Sequence, residues 1–184
     1  MGISNDKELK VLIPKEKIEK RVQELARQIS AEYAGKTVYA LCVLENGFMF
    51  MSDLVRALEV PVVCAFIKTQ EKVIKQGDST RIEISFIPEL DVRGHDVLLV
   101  EGIVQSGVTS EFLIRNMTAR GASSVKMAAF LDKSSARRVS LQPDYFGFVV
   151  DESYMMGYGL GAPDQGRNLG YVATTAKFSS AEEK

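Results

Sequence analysis

The sequence predicts an α/β fold, a mostly parallel twisted sheet flanked by helices, with a small flap and a hood segment added to it. Three observations carry this. The stretches TVYALCVL, PVVCAFIK, DVLLVEGIV and SVKMAAFLDK are nearly unbroken apolar runs of strand length, as in strands covered on both faces. Segments with apolar residues at helical spacing stand between strands, so the connections are right-handed crossovers. The composition is globular, with 184 residues, 46% hydrophobic and 26% charged. A chain of that length buries about 70% of its surface in one domain, 1–184, without disulfides or a structural metal.

Taken in order, Pro14 opens a helix over 14–33 in which Ile18, Val22, Leu25, Ile29 and Tyr33 recur at helical spacing, and Gly35 stops it. TVYALCVL ends in the turn ENG and reads as a buried strand. FMFMSDLVRAL returns to helical period, and its stripe of Phe48, Met51, Leu54, Val55 and Leu58 reads as core or subunit interface. PVVCAFIK is a second strand. Residues 69–88 turn polar, carry Gly77 and alternate in RIEISFI, which marks an exposed hairpin, so the flap is placed at about 68–88. DVLLVEGIV is another buried strand, and TSEFLIRNMTARG is a helix closed by Gly121. SVKMAAFLDK, YFGFVV and a glycine-rich hood at about 150–175 follow, and the tail KFSSAEEK is expected to fray.

Several function classes fall away. Lys and Arg number 23 against 24 Asp and Glu, so no basic surplus points to nucleic acid. The start, MGISNDKELKVLIPKEK, lacks the apolar stretch of a secretory signal, and no apolar run approaches the ~18 residues of a membrane span. A cytoplasmic protein is expected. Cys42 and Cys64 both sit in apolar runs and read as two buried thiols. His95, the lone histidine, lies in a turn-like RGHD, which leaves little for a histidine-based triad or metal site.

In parallel sheets ligands bind beyond the carboxyl ends of the strands. The segments placed there are ENGF, EGIVQSGVTS and LDK. In the second, a strand, a loop with Ser106, Gly107 and Thr109, and a helix start make a phosphate cradle of free amides, hydroxyls and a glycine that allows close approach. Taken alone, S-G-x-T reads first as an ordinary turn with a Ser or Thr cap. Alone, too, Lys133 reads as a solvated strand-end lysine, Arg167 as half of a surface ion pair, and Tyr154 with Met155 and Met156 as core. Glu101 ends four apolar residues, and an ionised carboxylate there needs a partner.

In context VLLVEGIVQSGVT resembles the phosphoribosyl-pyrophosphate signature of the type I phosphoribosyltransferases. The resemblance spans nearly the whole chain: VLIPKEKIEKRVQELARQISAEYAGK, GFMFMSDLVRAL, LDK, PDYFGFVV and YMMGYGLGAPDQGRNLGYV are similar to the short bacterial hypoxanthine-guanine phosphoribosyltransferases. It implies the type I phosphoribosyltransferase fold and a reaction joining a purine to the ribose C1 of phosphoribosyl pyrophosphate, with release of pyrophosphate and help from Mg²⁺. It implies further that Ser106, Gly107, Val108 and Thr109 hold the ribose 5′-phosphate and that Glu101 engages the ribose hydroxyls and, weakly, a metal. Lys133 then donates to the purine O6, Tyr154 stacks on the base with Met155 beside it, and Arg167 lies near the pyrophosphate. A purine nucleotide such as IMP or GMP, or phosphoribosyl pyrophosphate, is the implied ligand, and a homodimer or homotetramer the implied assembly.

Other positions depart from that pattern. Gly102 stands where the second acid belongs, and Gln105 replaces the aspartate that handles the purine N7 proton. An amide cannot act as general acid or base, a loss of roughly 10²–10⁴-fold in rate. Glu45 and Asn46 replace a Lys-Gly pair, turning a carboxylate towards the pyrophosphate side, and Glu71 and Lys72 replace the Ser-Tyr tip of the flap. Gly161 stands where an aspartate organises metal and base. Acids placed at 102 and 105 are expected to point into the crevice without strain. Two classes remain open: a purine salvage enzyme with weak catalysis, and a non-catalytic nucleotide-binding regulator or hetero-oligomer partner of an active paralogue.

Overall fold

The structure, a computed structural model, describes residues 9–68, 70–76, 79–85, 90–161 and 166–175, the segments 70–76 and 79–85 by their main chain alone. The chain runs β1 (Leu9–Ile13), α1 (Lys15–Glu32), β2 (Val38–Leu44), α2 (Phe48–Ala57), β3 (Val62–Lys68), β4 (Gln70–Gln76) and β5 (Ser79–Ser85). It continues through β6 (Asp96–Val104), α3 (Val108–Ala119), β7 (Ser124–Asp132), a 3₁₀ turn at Ser134–Ala136, β8 (Tyr145–Val149) and β9 (Val172–Thr175).

The main sheet has five strands in the order β3-β2-β6-β7-β8, every neighbouring pair parallel. Its strands are the apolar runs read from the sequence. Both faces of the central strands β2, β6 and β7 are covered, which is why those runs do not alternate. Val38, Ala40, Cys42, Leu98, Val100, Ala128 and Phe130 face α1 and α2, which contribute the stripe Ile18, Val22, Leu25, Ile29 and Tyr33 together with Phe50, Met51 and Leu54. Leu41, Val97 and Leu99 face Leu113 and Met117 of α3. The strand order reverses between β2 and β6: the connection through α2 leads outward to β3, and that through α3 leads the other way to β7. The carboxyl ends of these two strands therefore flank the switch point where such sheets open a crevice.

One expectation changes, one is refined, and one element is new. Cys42 is buried, but Cys64 is exposed, because β3 is an edge strand and α2 leaves its outer residues uncovered. In α2 the deeply buried aromatic is Phe50, whereas Phe48 is 36% exposed at the start of the helix. The first strand was not foreseen at all: β1 pairs antiparallel with β9, Leu9 opposite Thr175 and Val11 opposite Ala173, tying the hood to the start of the chain. The polar segment is a hairpin, β4 against β5 with Gln70 opposite Ser85, as its alternation implies. The side chains of Glu71 and Lys72 and the tail 177–184 lie outside the described residues.

Candidate functional site at the carboxyl ends of β2, β6 and β7

The loop after β6 is built for close backbone approach. Gly107 has φ +77°, a left-handed conformation that favours glycine. A Cβ there would also meet Arg137 Cδ and Val139 Cγ2 at 3.0 Å. Ser106 Oγ accepts from the Val108 amide at 3.4 Å, and the Ser106 carbonyl accepts from the Arg138 amide at 2.9 Å. The first intrahelical bond of α3 runs from Glu111 N–H to Gly107 C=O at 2.9 Å, so the amides of Val108, Thr109 and Ser110 precede it at the positive end of the helix. Gln105, exposed just past the end of β6, stands beside this cradle.

Beneath it lies Glu101, on the α3 face of β6 and only 7% exposed. Burial pushes its carboxyl up to about 7, against the opposing pull of a Ser110 hydrogen bond and the Arg137 charge. One carboxylate oxygen, Oε1, is buried with no partner among the described residues. Arg137 pairs with Asp132 at the end of β7. These two were not singled out from the sequence. Nothing local marks them, because Arg137 acquires its surroundings only when the turn after β7 folds back over the 106–107 loop.

On the β2 side the chain is unusually close to itself. A Cβ on Gly102 would lie 2.2 Å from the Asn46 carbonyl oxygen and 2.5 Å from its carbon. An acid at 102 therefore does not reach an open crevice, contrary to the expectation from sequence: the main chain of the 45–47 loop already fills that space. Asn46 Oδ1 accepts from Arg167 Nη1 at 2.9 Å, and the same nitrogen donates to the Gly159 carbonyl at 2.8 Å. Glu45 is doubly paired, with Lys68 Nζ 2.8 Å from Oε1 and Arg167 Nη2 3.5 Å from Oε2. The Lys68 ammonium first, and the Arg167 guanidinium more weakly, hold the Glu45 carboxyl below the usual carboxylate range. Lys68 was also missed from the sequence, although the parallel register that sets Leu44 opposite Lys68 is what delivers it to the Glu45 loop.

At the third strand end, the Lys133 amide donates to the Val104 carbonyl at 2.9 Å, which locks the end of β7 to the end of β6. Its Nζ donates to the Glu152 carbonyl at 3.1 Å, which brings the lysine to the hood two residues before Tyr154. Tyr154 is half-buried and its carbonyl accepts from Thr174 Oγ1 at 2.6 Å, while Met155 is buried. The hood is fastened to α2 by the Tyr158 hydroxyl, which donates to Asp53 Oδ2 at 2.6 Å. Gly161 lies at the edge of the described hood.

The family model of the phosphoribosyl transferase domain matches residues 12–160. Over 167 residues the chain is 35% identical to the hypoxanthine-guanine phosphoribosyltransferase of Bacillus subtilis, covering 89% of this chain and 91% of that protein. The chain belongs to the hypoxanthine-guanine phosphoribosyltransferase family. It is also 34% identical to the bifunctional protein TilS/HprT of Listeria innocua, where the match covers 89% of this chain but 25% of that longer protein. Among solved structures, the hypoxanthine phosphoribosyltransferase of Trypanosoma cruzi superposes with a TM-score of 0.85 at 29% identity, covering 98% of each chain. The type I phosphoribosyltransferase architecture expected from the sequence is thereby shown.

Within this hypoxanthine-guanine phosphoribosyltransferase fold, the candidate residues fall into groups. The 106–109 loop, Glu101 and Gln105 gather at β6. Glu45, Asn46 and Arg167 gather at β2, and Lys133 joins the hood near Tyr154 and Met155. Among the described residues, few protein oxygens are gathered for a Mg²⁺ ion. Mg²⁺ keeps several waters in its octahedral shell and is commonly held by one or two carboxylates together with substrate phosphates. Gly102 offers none, the Glu101 carboxylate is buried beside Arg137, and among the described residues no three Asp, Glu, His or Cys side chains stand together as a metal site. No helix of the described residues is long and apolar enough to cross a membrane.

Proposed function

We propose that this protein binds a purine nucleoside monophosphate, IMP or GMP, or phosphoribosyl pyrophosphate, and that its phosphoribosyl transfer is weak or lost. The carrying observation is the pairing of an intact 106–109 cradle at the start of α3 with Gln105 at the neighbouring proton-handling position. In this reading the amides of the first turn of α3, with the Ser106 and Thr109 hydroxyls, hold the 5′-phosphate. Lys133 donates to the purine O6, and Tyr154 stacks on the ring with Met155 beneath. Glu101 faces the ribose from below. No side chain at 102 or 105 moves the purine proton, so the base is bound without being activated.

A second reading, a non-catalytic regulator that assembles with an active paralogue, draws support from an exposed apolar face. Phe48 of α2 and Phe66 of the edge strand β3 are 36% and 54% exposed, and Cys64 of the same strand is exposed. Such a face suits a homodimer, a homotetramer or a mixed oligomer. Its place is the cytoplasm. Calorimetric titration with IMP, GMP and phosphoribosyl pyrophosphate, alongside steady-state turnover of hypoxanthine and guanine, tests both readings. Nucleotide binding with turnover far below the typical ~10 s⁻¹ is expected. Turnover near that rate, or no binding of any of the three, overturns the proposal.

A further inference from the structure

Two cations from distant parts of the chain converge on a single carboxylate at the mouth of the crevice. Lys68 closes β3 and reaches Glu45 Oε1 at 2.8 Å, while Arg167 comes from the hood and reaches Oε2 at 3.5 Å. Each oxygen thus takes one cation, the arrangement an external oxyanion would adopt between the same two groups. Arg167 is held in place independently of Glu45. Its Nη1 is spent on Asn46 Oδ1 and the Gly159 carbonyl, and its Nε is buried with no partner among the described residues. Lys68 is 60% exposed in its side chain and free to re-aim. The Glu45 side chain is itself 45% exposed, so its pairs contribute little to stability, and removing it leaves the fold standing. What the carboxylate does change is the local charge: two cations and one anion leave a single net positive charge beside the switch-point crevice, and without Glu45 there would be two.

We infer that Glu45 is a built-in anion that fills a two-cation site formed by Lys68 and Arg167. The crevice then favours a ligand with one phosphate, seated on the 106–109 loop, over one such as phosphoribosyl pyrophosphate that carries a second strongly anionic group on the β2–β3 side. The selectivity follows from occupancy as well as repulsion, because an incoming pyrophosphate would have to displace the carboxylate and then remain beside it. This inference rests on the nucleotide reading above for its account of which ligand is admitted. The existence of the two-cation site does not depend on it.

The test is calorimetric titration of inorganic pyrophosphate, without added metal, into wild type, Glu45→Gln and Glu45→Gln/Lys68→Met, with Glu45→Ala as a second single variant should the glutamine form fail to fold. A parallel titration of wild type with IMP is run in the same buffer. The single variant is expected to bind pyrophosphate at least fivefold more tightly than wild type, the double variant to lose that gain, and added salt to weaken it. A gain below fivefold in a folded single variant, or a gain that survives in the double variant, overturns the inference. Absence of IMP binding by wild type overturns the nucleotide reading instead, and leaves the pyrophosphate comparison to decide the role of Glu45.

Discussion

Replacing Glu101 by glutamine should make the protein more stable at alkaline pH and leave it nearly unchanged in mild acid. The carboxyl is buried on β6 under the start of α3, and burial carries its titration from an ordinary 4.5 to about 7. Below pH 4.5 both folded and unfolded chains hold the proton. Between 4.5 and 7 the unfolded chain releases it while the folded chain keeps it, so stability falls as pH rises through this window and levels off above it. At roughly 1.4 kcal/mol per pH unit, the displacement corresponds to about 3 kcal/mol lost above pH 7. Glutamine keeps the shape and cannot ionise, so that loss disappears. Urea unfolding of wild type and Glu101→Gln at pH 5 and pH 8 isolates the effect, since all other groups titrate alike in both proteins. The variant's advantage should grow by about 2–3 kcal/mol between the two pH values. In thermal melts this is a relative rise of roughly 4–12 °C for a chain of this size. An advantage that stays constant with pH would refute the burial argument and would mean that Ser110 and Arg137 fully compensate the charge.

The other predictions concern the rim of the crevice. Gly102→Asp should destabilise the fold by about 3 kcal/mol, read as a lowered urea midpoint, because its Cβ meets the Asn46 carbonyl at 2.2 Å; a neutral outcome would show that the 45–47 loop yields easily. Gln105→Asp sits at an exposed position and should fold normally, raising turnover of hypoxanthine at least roughly tenfold if the missing proton-transfer group is the limiting defect, and an unchanged rate would shift the blame to the pyrophosphate side and Gly161. Ser106→Ala should weaken IMP binding about tenfold by removing a charge-assisted hydrogen bond to the phosphate, while free hypoxanthine binds as before; equal losses for both ligands would contradict a role at the 5′-phosphate.

Much of this molecule is written in local patterns. The stripe Ile18, Val22, Leu25, Ile29 and Tyr33 marks α1 because a helix repeats every 3.6 residues. The apolar runs mark β2, β6 and β7 because strands covered on both faces exclude polar residues. The 106–109 cradle is legible for the same reason, since strand, glycine turn and helix start are contiguous in sequence. Gln105 and Glu45 could likewise be recognised as departures from a family motif by reading along the chain.

What tertiary structure alone decided are the meetings of residues far apart in the chain. β1 finds β9, Lys68 and Arg167 close on Glu45, and Arg137 folds back against Gly107 to reach Asp132. Gly102 is the clearest case. In sequence it is a missing acid, a vacancy that substitution could fill; in the fold it is the gap through which the Asn46 main chain passes. Periodicity reports which face of an element is buried, because that depends only on neighbours one turn or one pleat away. It carries no record of which distant backbone occupies the space beyond that face, and at this crevice that occupancy determines both where an anion can sit and where a new acid cannot.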